Sequence, residues 1–528
     1  MMKLEIFLSF LLISSISFGQ EKGSGGHLSP EQAAIDIRHY TLDLIVNPNG
    51  QSFGGSTIID LKLVKETPTL VFDLDNRFFV SEILVNGKNM PYNHYNGQIH
   101  IPGTPNFSLG NYSIKISYNG QPKIAKNPPW DAGIQWSQDA QGRPWIAMSC
   151  EEVGANIFFP CKDHPSDEPN EGADLFITVP KGLIVAGPGL LVSTEDKKRQ
   201  TVFHWKTNYT INNYCIVFNI GYYKPYQKNY TTIEGNTVPM EYYVLDYNYN
   251  KAEKHLELLA RSAKMLEKYF GEYPFIKEKI GLVETPHLGM EHQTMNAYGN
   301  KYRYEKVGNV DFDWLMHHEF GHEWWANKVT NIDWAHMWIQ EGITSFGDAL
   351  FTEEFAGKDA YIQRMKKTAA SLQNKLPIVQ AEEGIDGKET YHSDIYGKGA
   401  FFMHTLRFIM GDSVFFPALK AFIMDSKFTY NNFVNTKDLQ LHLSKWAKKD
   451  LNPLFKLFIY STDKLKINML NKENGKYEIS LQNLEMTIPM EITTDAGTKT
   501  FKISKKPIII KSKTLPIIDD NGFYLKSL

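Results

Sequence analysis

The chain has 528 residues, 42% hydrophobic and 22% charged, with a formal net charge of −3. That length calls for several domains, and the balance is that of a globular protein with large apolar cores. No basic excess marks a nucleic-acid partner, and three cysteines are too few for a disulfide-stapled scaffold.

Residues 1–19 read as a secretory signal peptide. Lys3 supplies the positive start, 6–18 are an apolar run, and Ser17 and Gly19 are the small residues before a cut at Gln20. A run of 13 residues falls short of the roughly 20 that a membrane-spanning helix needs. No other run is long enough, so the mature chain is expected to be exported, periplasmic or secreted, with no transmembrane segment. The odd count of cysteines (Cys150, Cys161, Cys215) leaves at least one free thiol, and buried free thiols are favoured over a bridge.

Residues 27–225 read as an antiparallel β domain. Apolar and polar residues alternate over 40–46 and 56–63, and Asn86-Gly87 and Asn119-Gly120 are turn signals. Residues 226–460 turn mixed and then helical, beginning with an amphipathic stretch over 251–270 that carries Leu256, Leu259, Ala263 and Leu266. The last part, 461–528, returns to strand patterns over 476–481, 487–494 and 506–511 and reads as a small β-sandwich. The fold class expected is therefore multidomain α+β.

The chemistry concentrates at His318-Glu319-Phe320-Gly321-His322. Positions four apart share one helix face, so His318 and His322 can point at one zinc ion. Glu319 lies about 100° round the helix, beside the metal but off its ligand positions, where it can take a proton from the attacking water. A catalytic zinc wants three protein ligands and an open position. Glu341, 19 positions after His322, is the candidate third, returned by a loop over 331–336 and a second helix over 338–355. Asp348, seven residues on, shares the face of Glu341 and is a candidate partner for a ligating histidine.

The segment from His318 to Thr330, followed by Trp338-Ile339-Gln340-Glu341-Gly342, resembles the gluzincin zinc aminopeptidases, the family of aminopeptidase N and leukotriene hydrolase. The resemblance extends over roughly residues 30 to 528, nearly the whole mature chain. It implies a thermolysin-like α/β zinc catalytic domain over 226–460, following the β domain. It implies roles for further residues. Glu151 lies ten positions before the cysteine of Phe159-Pro160-Cys161-Lys162-Asp163, and it matches an acidic residue that reaches into the active site to hold the substrate's amino group; Glu152 is the alternative register. Leu288-Gly289-Met290-Glu291-His292 is similar to the Gly-x-Met-Glu-Asn exopeptidase motif, with Leu288 and His292 departing from it. Glu291 would then bind the α-ammonium, with Gly289 and Met290 on an edge strand pairing with the peptide. Tyr396, in Tyr396-Gly397-Lys398-Gly399-Ala400, matches the tyrosine that stabilises the oxyanion, and Tyr391 is the nearest alternative. Larger members carry a long helical domain after the β-sandwich, so this chain resembles a short form.

The function expected is a zinc aminopeptidase with one Zn2+ per chain, acting on peptides with a free N-terminus. A thermolysin-type endopeptidase would share 318–341 without needing Glu291 or Glu151. An inactive exported peptide-binding protein would be expected to lack Glu319 or Tyr396, and both are present.

Overall fold

The computed structural model describes residues 23–527. The expected signal peptide, 1–19, lies outside the described residues. The first part of the chain is built from strands. Its eight-stranded sheet is centred on Ile35–Asn47, antiparallel to Ser52–Leu63 and parallel to Ala173–Pro180. Ile35 and Ile37 are buried in one phase of the alternation, Tyr40, Leu42, Leu44 and Val46 in the other. A bulge between Ile37 and His39 inserts the extra residue that changes the phase while the same face stays inward. A second sheet contains Pro144–Ser149, and the turn that follows it carries Glu151.

The middle part is a five-stranded sheet flanked by helices. Its order is Tyr223–Thr231, Thr237–Leu245, Ile280–Glu284, Asn296–Tyr298, Gly289–Met290. Thr237–Leu245, Ile280–Glu284 and Asn296–Tyr298 run parallel. Helix α1 (Ala252–Phe270) makes the crossover between the first two, which parallel neighbours require. It buries Leu256, Leu259, Ala263, Leu266 and Phe270, an apolar stripe at helical spacing. Gly289–Met290 is a short antiparallel strand at the edge.

The helices that follow are α2 (Trp314–Gly321), α3 (Trp338–Ala356), α4 (Lys358–Ser371), α5 (Gly387–Thr390), α6 (Asp394–Met410), α7 (Asp412–Met424), α8 (Thr436–Ala447) and α9 (Asn452–Phe458). Asp313 caps α2 by accepting from the Met316 amide. The same carboxylate accepts from the Tyr298 hydroxyl and the Asn300 side chain, tying the start of α2 to the sheet. Helix α3 packs against α2, α4 and α6, and Trp324, Trp325 and Trp338 are wholly buried around it. Where α3 crosses α6, Gly342 meets Gly399: a Cβ on Gly342 would stand 2.7 Å from the Gly399 Cα. Two glycines thus let the helix bearing Glu341 approach the helix bearing Tyr396 more closely than side chains would allow.

Beyond α9, Leu465–Lys472 pairs with Lys476–Leu481, and Ile488–Thr494 with Gly497–Ile503, in two small sheets. The whole is the multidomain α+β arrangement expected, except that the first sheet is mixed rather than antiparallel throughout, Ile35–Asn47 running parallel to Ala173–Pro180. Cys150, Cys161 and Cys215 are buried free thiols. Among the described residues no helix is long and apolar enough to cross a membrane.

Candidate active site

Helix α2 presents His318 and Glu319 and ends at Gly321, one residue short of the motif's second histidine. His322 keeps helical dihedrals (φ −66°, ψ −15°), so its side chain still follows that of His318 by one turn. The chain then unwinds, with the Glu323 and Trp324 amides bonding three residues back and the Asn327 amide reaching the His322 carbonyl.

The Nε2 atoms of His318 and His322 lie 3.3 Å apart, and Glu341 Oε2 is 3.4 Å from each. These three atoms are the one group of potential metal-binding residues among those described. His322 Nδ1 lies 3.0 Å from the Trp325 carbonyl, which can only accept, so Nδ1 carries the proton and Nε2 offers its lone pair inward. His318 Nδ1 is 3.1 Å from Asp348 Oδ2, which orients that ring in the same way. Glu341 Oε2 is buried without a hydrogen-bond partner. Three acceptors converging on one point repel each other unless a cation stands between them, and two imidazoles with one carboxylate are a donor set suited to zinc. The field of the site favours positive charge. Burial opposes it, yet His322 and His318 draw the Glu341 carboxyl down to about 2. Burial is likewise outweighed at His322, which Glu341 pushes up to about 9.

Glu319 is buried beside this group, and burial and the nearby Glu291 push its carboxyl up to about 8 against the pull of His318 and His322. The edge strand runs alongside: a Cβ on Gly289 would stand 2.8 Å from Glu319 Oε1. Glu291 follows Met290 and is held at both ends. Its Oε1 accepts from the Tyr214 hydroxyl at 2.8 Å, and its main-chain carbonyl accepts from the Asn327 side chain at 2.9 Å. Glu151 reaches the same cleft from the strand-built part. Its turn depends on Gly154, at φ +97°, where a side chain would collide with the Asp163 carboxylate. Glu151 Oε1 is buried with no hydrogen-bond partner. Burial, then Glu291 and Glu341, push the Glu151 carboxyl well above the usual carboxylate range.

Tyr396, on α6, lies with its ring stacked 6.1 Å from that of His318. Burial, then Glu341 and Tyr391, hold its hydroxyl well above the usual phenol range, so it stays a donor. Tyr391 lies 3.0 Å away, hydroxyl to hydroxyl. The structure therefore brings both tyrosines to the cleft. It also brings Glu152, whose carboxyl is pushed up to about 7 by burial and by Glu341 and Glu291.

These residues line one cleft of about 330 Å³. Trp130, Leu288, Met290 and Trp314 form its apolar wall. Every residue named from the sequence lies at or beside it, including Gly289, Met290 and Asp348. Tyr214, Asn327, Trp130 and Trp314 were missed. Tyr214 touches the site through a contact distant in sequence with no short motif around it, and Asn327, although inside the segment from His318 to Thr330, reaches the site through the main chain of Glu291, 36 positions away.

Residues 37–215 match the Peptidase M1 N-terminal domain and residues 247–458 the Peptidase family M1 domain. Leucine aminopeptidase 2 of Candida glabrata is 23% identical over 401 residues, covering 72% of this chain and 58% of the relative. Leukotriene A-4 hydrolase of Xenopus laevis is 23% identical over 477 residues, covering 85% of this chain and 71% of the relative. The chain thus spans a little over half the length of the first and about seven-tenths of the second. A mutant M1 zinc metallopeptidase from Deinococcus radiodurans, crystallised with a Tyr-Ser-Ala substrate, superposes with a TM-score of 0.70. It is 20% identical, and the match covers 84% of this chain and 98% of that one.

Proposed function

Since the chain belongs to peptidase family M1, we propose that it is an exported zinc aminopeptidase that removes the N-terminal residue of peptides. One observation carries the specificity for N-termini. Glu151 Oε1 is buried and unpartnered in the same cleft as Glu291, next to the His318–His322–Glu341 group. The Glu151 carboxyl, pushed up by burial and then by Glu291, is stabilised in its charged form by a cation beside it, and the α-ammonium of a peptide supplies one. With the ammonium anchored there, the first peptide bond is the one presented to the reacting groups.

Zinc held by His318, His322 and Glu341 would supply a Lewis acid that polarises the scissile carbonyl and acidifies water. Glu319 takes the proton of the attacking water and returns it to the leaving amine. Tyr396 donates to the oxygen on which charge develops. Asp348 and the Trp325 carbonyl hold the two imidazoles in the tautomer that faces inward. Export rests on Lys3, the apolar run 6–18 and the small residues Ser17 and Gly19. N-terminal sequencing of protein recovered outside the cytoplasm should begin at Gln20.

The test compares one peptide with a free and an acetylated N-terminus by mass spectrometry. Acetylation removes the charge and should slow cleavage at least ~10²-fold, the worth of about two charge-assisted hydrogen bonds. Internal cleavage of the acetylated peptide as fast as trimming of the free one would point to a thermolysin-type endopeptidase instead.

A further inference from the structure

The Glu291 carboxylate is held by a residue from the other part of the molecule. Tyr214 stands on a short 3-10 turn, Asn213–Cys215, that ends the stretch matched to the N-terminal domain. Its hydroxyl donates to Glu291 Oε1 at 2.8 Å, with Tyr214 4% and Glu291 3% exposed. The turn is pinned on the far side. The Asn213 side chain donates to the Lys162 carbonyl at 2.8 Å, and the Asn212 side chain to the Ala326 carbonyl at 3.2 Å. The Tyr214 ring lies against Trp334, 6.1 Å between centroids. Asn327 fixes the Glu291 main chain, so one rotatable carboxylate remains to be set. Burial, then Glu291, keep the Tyr214 hydroxyl well above the usual phenol range, so at neutral pH it is always the donor.

We propose that Tyr214 is a positioning residue for amine recognition: its hydroxyl occupies Oε1 of Glu291 and so commits the other carboxylate oxygen to the substrate's α-ammonium. This rests on the aminopeptidase reading above. A free carboxylate at the end of a glutamate rotates among several rotamers, and an ammonium binding to one of them must first select it. The Tyr214 hydrogen bond makes that selection before the substrate arrives. It also gives the strand-built part a second hold on the amine site besides Glu151.

The alternative is a hydrogen bond that only stabilises the fold, and a ligand pair separates the two. The full-length, zinc-loaded protein is assayed with leucinamide and with 4-methylpentanamide, the same molecule without its amino group, as inhibitors of peptide trimming. In Tyr214→Phe the inhibition constant of leucinamide should rise about ten-fold, within the worth of one hydrogen bond to a charged acceptor. That of 4-methylpentanamide should not move, and the loss on the peptide should fall in KM rather than kcat. In a Glu291→Gln background Tyr214→Phe should add nothing, because its effect passes only through that carboxylate. Tyr214→Leu is the second hydroxyl-free variant, used if the first does not fold. Unchanged leucinamide affinity, or equal weakening of both inhibitors, overturns the proposal. If Glu291→Gln itself leaves leucinamide affinity at the wild-type level, the amine site and with it the aminopeptidase reading fail. If Glu291→Gln weakens leucinamide and Tyr214→Phe does not, only the positioning role fails.

Discussion

Replacing Gly342 by alanine should lower both stability and turnover, against the trend of helix propensity. Alanine is about 1 kcal/mol better than glycine in a helix interior. Here, however, the new Cβ would stand 2.7 Å from the Gly399 Cα and 3.0 Å from the Ile395 carbonyl oxygen. Non-bonded carbons rest at about 3.5–4.0 Å, so α3 and α6 must part by about 1 Å. Both neighbours are main-chain atoms of a packed helix and cannot rotate aside. Overpacking of this kind costs about 1–3 kcal/mol, which leaves a net loss of up to about 2 kcal/mol after the propensity gain. The kinetic effect should be larger. Helix α3 carries Glu341 and α6 carries Tyr396, and a shift of about 1 Å between reacting groups is worth about 10²-fold in rate. Gly347→Ala is the control on the same helix. Its Cβ would meet Phe270 Cε2 at 3.4 Å and Leu266 Cδ2 at 3.5 Å, ordinary contacts with side chains. Propensity should win there, leaving activity intact and stability unchanged or raised by up to about 1 kcal/mol. Urea unfolding and kcat/KM on a free-amine peptide measure both variants. A Gly342→Ala protein that is more stable and fully active would refute the argument that the glycine crossing sets the distance between Glu341 and Tyr396.

Three other outcomes are expected. Glu341→Ala should lose the single zinc measured by metal analysis, because two histidines leave an incomplete site; full zinc occupancy would remove Glu341 from the ligand set. Glu319→Gln should keep zinc and lose about 10²–10⁴ in kcat, and Tyr396→Phe should lose about 10²–10³ with KM little changed. Near-normal turnover in Tyr396→Phe beside an inactive Tyr391→Phe would transfer the oxyanion role to Tyr391, 3.0 Å away. On a panel of aminoacyl fluorogenic substrates, leucine, methionine and phenylalanine should exceed aspartate and glutamate by at least about ten-fold in kcat/KM. Among the described residues that line the cleft, Glu151, Glu152, Glu291, Glu319, Glu341 and Asp348 are carboxylates and none is lysine or arginine, and the wall of Trp130, Leu288, Met290 and Trp314 is apolar. Efficient removal of an N-terminal aspartate would contradict that reading of the cleft.

The candidate metal-binding group and the glutamate beside it were legible in the sequence. His318, Glu319 and His322 are set by one helical turn, and Glu341 and Asp348 by two turns of the next helix, so spacing along the chain is already spacing in space. The edge strand Gly289–Met290 was legible for a similar reason, since its motif is contiguous. What spacing could not decide is anything settled between distant segments. Glu151 and Glu152 are adjacent, and only the packed structure shows Glu151 to be the one with a buried, unpartnered oxygen. Tyr391 and Tyr396 both reach the cleft, because the segment before α6 folds back onto the helix. The Gly342–Gly399 crossing and the hydrogen bond from Tyr214 to Glu291, residues 77 positions apart, leave no periodic trace. Their energy depends on two surfaces meeting at a fixed distance, a property of the packed molecule that neither segment carries alone.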